Sequence, residues 1–199
     1  MKKWGKPETA GAFLDRGTYF VCKGEYEAAI EDFTTAIECD PNLAHAYNSR
    51  GIVYHKIGEY KKALADYTMA LSFHSNYSSM FYGNRGLTYS AIGEFDAAIA
   101  DFTQILTTNP HDANAWCNRG VAYFKKGEHD AAIADYSKAI SIYPRYTDAY
   151  YNRGIAYILK GEQGLYDRAK ADFAQAYKLD PDDVDAKERL ELALTKLGY

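Results

Sequence analysis

Apolar and aromatic residues recur along the chain at three- and four-residue spacing, in blocks of about twelve residues that short polar breaks separate. One such block covers residues 46–57 and a second covers residues 60–71, with Gly58-Glu59 between them. Apolar positions at this spacing form one face of an amphipathic helix. A glycine directly after a helix suits the left-handed backbone conformation of a helix end. The pattern therefore predicts pairs of short helices joined by tight turns.

The predicted helix pairs repeat with a nearly constant period. Arg-Gly pairs begin at Arg16, Arg50, Arg85, Arg119 and Arg153, so their glycines are spaced 34, 35, 34 and 34 residues apart. Asp-aromatic pairs recur in step with them, at Asp32, Asp66, Asp101, Asp135 and Asp172. Units of this length stack side by side in repeat proteins. We therefore expect one array with repeats at 10–43, 44–78, 79–112, 113–146 and 147–183, followed by a capping helix at 184–197.

Small and aromatic residues also keep their places in the period. Small residues at the Gly51 and Ala63 positions are expected to face each other across a helix pair, since only small side chains let two helices approach closely. The 19 tyrosines fall mostly at repeat-locked positions such as Tyr47, Tyr54 and Tyr67. We assign most of them to packing, with their hydroxyl groups reaching the rim.

These residues resemble the tetratricopeptide-repeat (TPR) family over nearly the whole chain, from Ala10 to about Pro181. The family pattern occurs here as Trp116, Gly120, Tyr123, Gly127, Ala132, Tyr136, Ala139 and Pro144. The resemblance implies an all-α, right-handed superhelical solenoid of antiparallel helix pairs, in which the first helix of each pair lines a concave face. Members of the family mostly act as adaptors, co-chaperones or assembly platforms that bind short segments of partners.

The Arg and Asp series allow two interpretations. Equal periods suggest that each Arg pairs with an Asp on a neighbouring helix, and such a pair would define the register of the helices. Alternatively, the Arg series could recognise an acidic or phosphorylated partner. Structural pairing is favoured because an unpaired buried charge is costly and a matching Asp is always present.

The family geometry predicts a peptide-binding groove on the concave face. The candidate groove residues are Asn48, His55, Asn84, Leu87, Asn118, Val121, Phe124, Lys125, Tyr151, Asn152 and Ile155. An Asn side chain offers both donors and an acceptor to a peptide backbone, and the apolar residues would contact peptide side chains. The alternative is that the Asn side chains bond to neighbouring helices. Leu14 and Thr18 stand where a family member that grips a chaperone's C-terminal carboxylate needs a cationic and an amide side chain, so we do not expect that specificity.

Composition narrows the classes of function. A formal net charge of -4 argues against broad binding to nucleic acid or to an anionic membrane. The sequence contains no secretion signal and no apolar stretch long enough to span a bilayer, and three Cys with no CxxC spacing favour a reduced compartment, so we expect a cytoplasmic protein. We find no catalytic constellation, metal site or cofactor motif.

The sequence therefore predicts a non-enzymatic scaffold or adaptor that binds a protein or peptide segment, as a monomer or weak homo-oligomer. The alternative is a structural solenoid that self-assembles through its N-terminal end, where we expect no capping helix before the first repeat.

Overall fold

The computed structural model describes residues 9–73, 77–161 and 164–181, and these residues form ten α-helices with no strand. The helices are α1 (Ala10–Lys23), α2 (Tyr26–Cys39), α3 (Ala44–Lys56), α4 (Tyr60–Ser72), α5 (Ser78–Ala91), α6 (Phe95–Thr108), α7 (Ala113–Lys126), α8 (His129–Ile142), α9 (Thr147–Lys160) and α10 (Leu165–Leu179). The predicted all-α fold class with two helices in each repeat is confirmed. The predicted capping helix at 184–197 lies outside the described residues.

The chain forms two compact units, residues 1–94 with α1 to α5 and residues 95–199 with α6 to α10. In the first unit each helix packs on the next one along the chain, and α3 also contacts both α1 and α5. The second unit follows the same scheme, with α7 touching α9. The first helices of consecutive repeats thus lie side by side within each unit, and their shared surface is called the first-helix face below.

Local sequence signals determine where the helices begin and end. The Thr9 hydroxyl accepts a hydrogen bond from the Ala12 amide, and the Asp112 carboxylate accepts one from the Ala115 amide, so both side chains cap the helices that follow them. Gly127 ends α7 with φ = 87°, a left-handed conformation that glycine adopts without steric cost. Helices of this length are marginally stable alone, so packing must stabilise them.

In four of the helix pairs an aromatic ring packs against a glycine, at Gly17, Gly51, Gly120 and Gly154. A Cβ atom on Gly51 would lie 2.8 Å from the Tyr67 ring, and one on Gly17 would lie 2.6 Å from the Phe33 ring. Phe33 and Ala63 are both fully buried, and Tyr67 is 1% exposed. The aromatic ring, rather than Ala63, supplies the atoms nearest to Gly51. The two helices therefore approach each other through a glycine-ring contact.

Candidate functional site

Four of the predicted Arg-Asp pairs are seen as bidentate ion pairs. Arg119 Nε donates to Asp135 Oδ2 at 2.7 Å, and its Nη2 donates to Asp135 Oδ1 at 2.9 Å. Only 5% of Asp135 is exposed, so its charge depends on the guanidinium. The same two-bond contact joins Arg16 to Asp32, Arg50 to Asp66 and Arg153 to Asp172. Structural pairing is thus confirmed for these four pairs.

A hydroxyl on the preceding repeat completes most of these contacts. Thr103 Oγ1 donates its only proton to the Ile99 carbonyl at 2.7 Å and accepts from Arg119 Nη1 at 3.0 Å. Arg50 bonds to Thr34, Arg85 to Thr68 and Arg153 to Ser137 in the same way. The guanidinium of Arg119 therefore ties α7 and α8 to α6. The sequence carried this signal as a Ser or Thr two residues after the Asp in repeats one to four.

Two aromatic rings flank each Arg of the series. The Arg119 guanidinium carbon lies 4.6 Å from the Trp116 ring centroid and 5.8 Å from that of Tyr123. The other flanking pairs are Phe13 and Phe20, Tyr47 and Tyr54, Tyr82 and Tyr89, and Tyr150 and Tyr157. The hydrogen bond to Asp135 raises the pKa of Arg119 further. These guanidinium groups therefore already make contacts within the repeats. Most of the flanking rings are tyrosines, so these contacts account for much of the tyrosine content.

In the first unit, several predicted groove residues surround one cleft. Its volume is about 240 Å³, and its walls are Ile52, His55, Lys56, Tyr67, Asn84 and Leu87. Leu87 is 45% exposed, which leaves an apolar side chain open to a ligand. Asn48 is only 3% exposed, and its Oδ1 accepts from Asn84 Nδ2 at 2.9 Å. Asn48 therefore orients Asn84, while Asn84 retains an N–H and a carbonyl oxygen for a guest.

A buried hydroxyl network supports this cleft from below. Thr88 is fully buried, and its Oγ1 lies 2.8 Å from both the Asn84 carbonyl oxygen and His55 Nδ1. The Tyr67 hydroxyl also bonds to Thr88, and burial raises the pKa of Tyr67. Burial lowers the pKa of His55, with a further contribution from the charge of Lys56. Thr88 thus connects α3, α4 and α5 beneath the cleft.

In the second unit, the predicted groove residues lie on α7 and α9, which contact each other. Val121 and Phe124 pack against the buried core around Cys117 and Tyr136. Tyr151 and Ile155 pack against the core around Phe173, with the Tyr151 and Phe173 ring centroids 5.9 Å apart. All four are partly exposed, whereas Lys125 is exposed. The first-helix face of the second unit is therefore an apolar surface with a cationic edge.

The two asparagines of the second unit behave differently. Asn152 hydrogen-bonds to the thiol of Cys117, which is 3% exposed. This contact and the Asn84–Asn48 bond join the same two repeat positions. In each, an Asn two residues before the glycine of its Arg-Gly pair contacts a side chain of the preceding repeat, three residues before the corresponding glycine. Asn118 makes no side-chain hydrogen bond with any described residue and is partly exposed. The predicted alternative of bonding between helices thus holds for Asn84 and Asn152, and not for Asn118.

Two further observations on residues 9–73, 77–161 and 164–181 concern metal sites and membrane-spanning helices. Among them, no group of three His, Cys, Asp or Glu side chains is placed to hold a metal ion. No helix within those ranges combines the length and apolar character needed to cross a bilayer.

Comparison with known proteins identifies the repeat. Family profiles described as tetratricopeptide repeat match residues 44–77, 113–146 and 136–171, and a profile described as TPR repeat matches residues 17–58 and 86–127. No curated protein is significantly similar in sequence to the chain.

Several solved structures share the fold. The crystal structure of MamA is 30% identical, with a TM-score of 0.76 over 85% of this chain and 96% of that one. YrrB, described as a TPR protein with an unusual peptide-binding site, is 22% identical, with a TM-score of 0.74 over 92% of this chain and 93% of that one. TTC0263, a thermophilic TPR protein of Thermus thermophilus, is 22% identical, with a TM-score of 0.69 over 94% of this chain and all of that one. These likenesses confirm the predicted TPR solenoid fold class.

Proposed function

Since the chain belongs to the tetratricopeptide-repeat family, we propose that it is a non-catalytic scaffold that binds a peptide or protein segment on its first-helix faces. Proteins of this family are generally non-catalytic scaffolds. One of the solved structures that share the fold, YrrB, is described as having a peptide-binding site, which supports the same role here. The proposed contacts are the residues predicted from the sequence, with Asn48 in a supporting position.

The observation that carries the proposal is the cleft of the first unit. It places an oriented amide with free hydrogen-bonding capacity, Asn84, beside the exposed apolar side chain of Leu87. A peptide backbone needs the first and a peptide side chain needs the second. In the second unit, Asn118 and Val121 occupy the repeat positions of Asn84 and Leu87. They supply the same two groups, an amide and an apolar side chain.

The Arg series does not compete with this surface. Arg50, Arg119 and Arg153 each donate to an Asp and a hydroxyl group inside the repeats, so recognition of a guest falls to the amides and apolar residues. This division makes the proposal testable without unfolding the protein, because Asn84, Asn118 and Asn152 are all partly exposed.

The test is an affinity capture of partners with the wild-type chain and with a variant in which Asn84, Asn118 and Asn152 are all Ala. We expect the variant to lose the partner that the wild type retains, and circular dichroism must show equal helicity. A matched control replaces exposed Gln104, Lys138 and Lys178, which lie on second helices, with Ala. Equal recovery of the partner by both variants would reject binding on the first-helix face.

One observation favours self-assembly through the N-terminal end as a second candidate function. The side chain of Arg16 is 26% exposed, against 15–17% for Arg50, Arg119 and Arg153, and it has no hydroxyl partner among the described residues. Phe13 and Phe20, which flank Arg16, are also partly exposed, so these three side chains offer apolar and cationic groups to another helix. Light scattering at several concentrations tests this candidate, and a strict monomer would reject it.

A further inference from the structure

The Thr88 hydroxyl group has a single proton, and the direction of that proton determines which tautomer His55 adopts. A carbonyl oxygen can only accept, so the single hydroxyl proton of Thr88 must be the one directed at the Asn84 carbonyl. Thr88 Oγ1 is then the acceptor in its contact with His55 Nδ1. His55 must therefore donate from Nδ1–H.

The other ring nitrogen of His55, Nε2, is then the one that can gain a proton. In the neutral ring Nε2 carries a lone pair, and it makes no hydrogen bond with any residue that the structure describes. A proton added at Nε2 leaves the Nδ1–H bond to Thr88 intact and turns Nε2 into a donor. His55 can thus change charge without disturbing the packing of α3, α4 and α5.

The groups around His55 are unbalanced in charge. Lys56, the last residue of α3, lies on the same cleft wall and has no ion pair among the described residues. From α4, Tyr60 faces the imidazole edge-on with ring centroids 5.3 Å apart, and Tyr67 lies below. From α5 come Asn84, Leu87 and Thr88. No Asp or Glu among the described residues lines the cleft, and the nearby Glu59 pairs with Lys62 at 3.4 Å.

We propose that the cleft of the first unit binds a carboxylate-bearing segment of a partner, with the carboxylate held between Lys56 and a His55 that takes up a proton on binding. An apolar side chain next to the acidic one fits against Ile52 and Leu87. Burial and Lys56 both lower the pKa of His55 and so favour its neutral form in the free protein. A bound carboxylate reverses that balance by placing a negative charge beside the ring. This inference rests on the proposed function and adds the chemistry of the guest and its linkage to pH.

The test uses two synthetic hexapeptides, acetyl-Ser-Glu-Leu-Glu-Leu-Ser-amide and the same peptide with Gln in place of both Glu. Long-range 1H–15N NMR first assigns the tautomer of His55, and a proton on Nε2 rather than Nδ1 in the free protein would overturn the proposal. Each peptide is then titrated to millimolar concentration at about pH 8 and about pH 6, a range in which Glu stays ionised and His titrates. We expect the Glu peptide to bind more tightly at the lower pH and to raise the pKa of His55. The Gln peptide should bind more weakly at both pH values.

Two variants assign the effect to the cleft. Lys56→Met should weaken binding of the Glu peptide about fivefold, as expected for one partly exposed ion pair. Lys61→Met removes the same charge from an exposed position of α4 outside the cleft, and it should leave the affinity unchanged. Equal binding of the two peptides would overturn the acidic specificity while leaving groove binding intact. Absence of binding by both peptides would also overturn it, and the partner capture would still decide the proposed function.

Discussion

Replacing Arg119 with Met tests whether the Arg series holds the repeats together. The substitution keeps an unbranched side chain between the Trp116 and Tyr123 rings, but it leaves the carboxylate of Asp135 buried without its two charged hydrogen bonds. Removing one partner of a buried ion pair costs about 3–5 kcal/mol. The Arg119 side chain is 15% exposed, and water can reach part of the site, so we expect the lower end, about 3 kcal/mol. With a urea dependence of about 2 kcal/mol per molar, the midpoint should fall by about 1.5 M.

The assay is urea unfolding followed by circular dichroism, analysed as a double-mutant cycle. Asp135→Leu removes the carboxylate, and the combined variant should be clearly more stable than the sum of the two single losses predicts. Arg16→Met is the matched control, because Arg16 is 26% exposed and lacks the hydroxyl contact, and its loss should be smaller. If the Arg119→Met variant is as stable as the wild type but no longer binds the partner, the structural interpretation is refuted. Recognition of an acidic or phosphorylated partner by the Arg series would then be favoured.

The other predictions concern packing and thiol chemistry. Gly51→Ala should destabilise the protein by about 1–3 kcal/mol in urea unfolding, because the new Cβ would lie 2.8 Å from a buried ring. In contrast, Gly11→Ala, with no atom within 4 Å of the new Cβ, should be neutral or stabilising by up to about 1 kcal/mol, and equal effects would contradict the contact. Cys117 should react with iodoacetamide at about pH 8 at least tenfold more slowly than exposed Cys22 and Cys39, since burial raises its pKa to about 11. Peptide mass spectrometry measures the three rates, and equal labelling would show that the Cys117 site opens readily.

Much of the local structure follows from the sequence because its causes are local. The spacing of apolar residues defines the helices, and the observed second helix of repeat two, Tyr60–Ser72, matches the predicted block at 60–71 within one residue. The equal periods of Arg119 and Asp135 also sufficed to predict their pairing, because a buried charge of either sign requires the other.

The details of the candidate site depend on contacts between repeats, which no spacing rule specifies. The sequence predicted both Asn48 and Asn84 as groove residues, yet one is buried and accepts a hydrogen bond while the other lines the cleft. Thr88 gives no sequence signal for a link between His55 and Tyr67, because that link depends on where three helices meet. The repeat and its pairing of charges were thus determined by local periodicity. Only the packing of one helix pair on the next decided which polar atoms remain open to a guest.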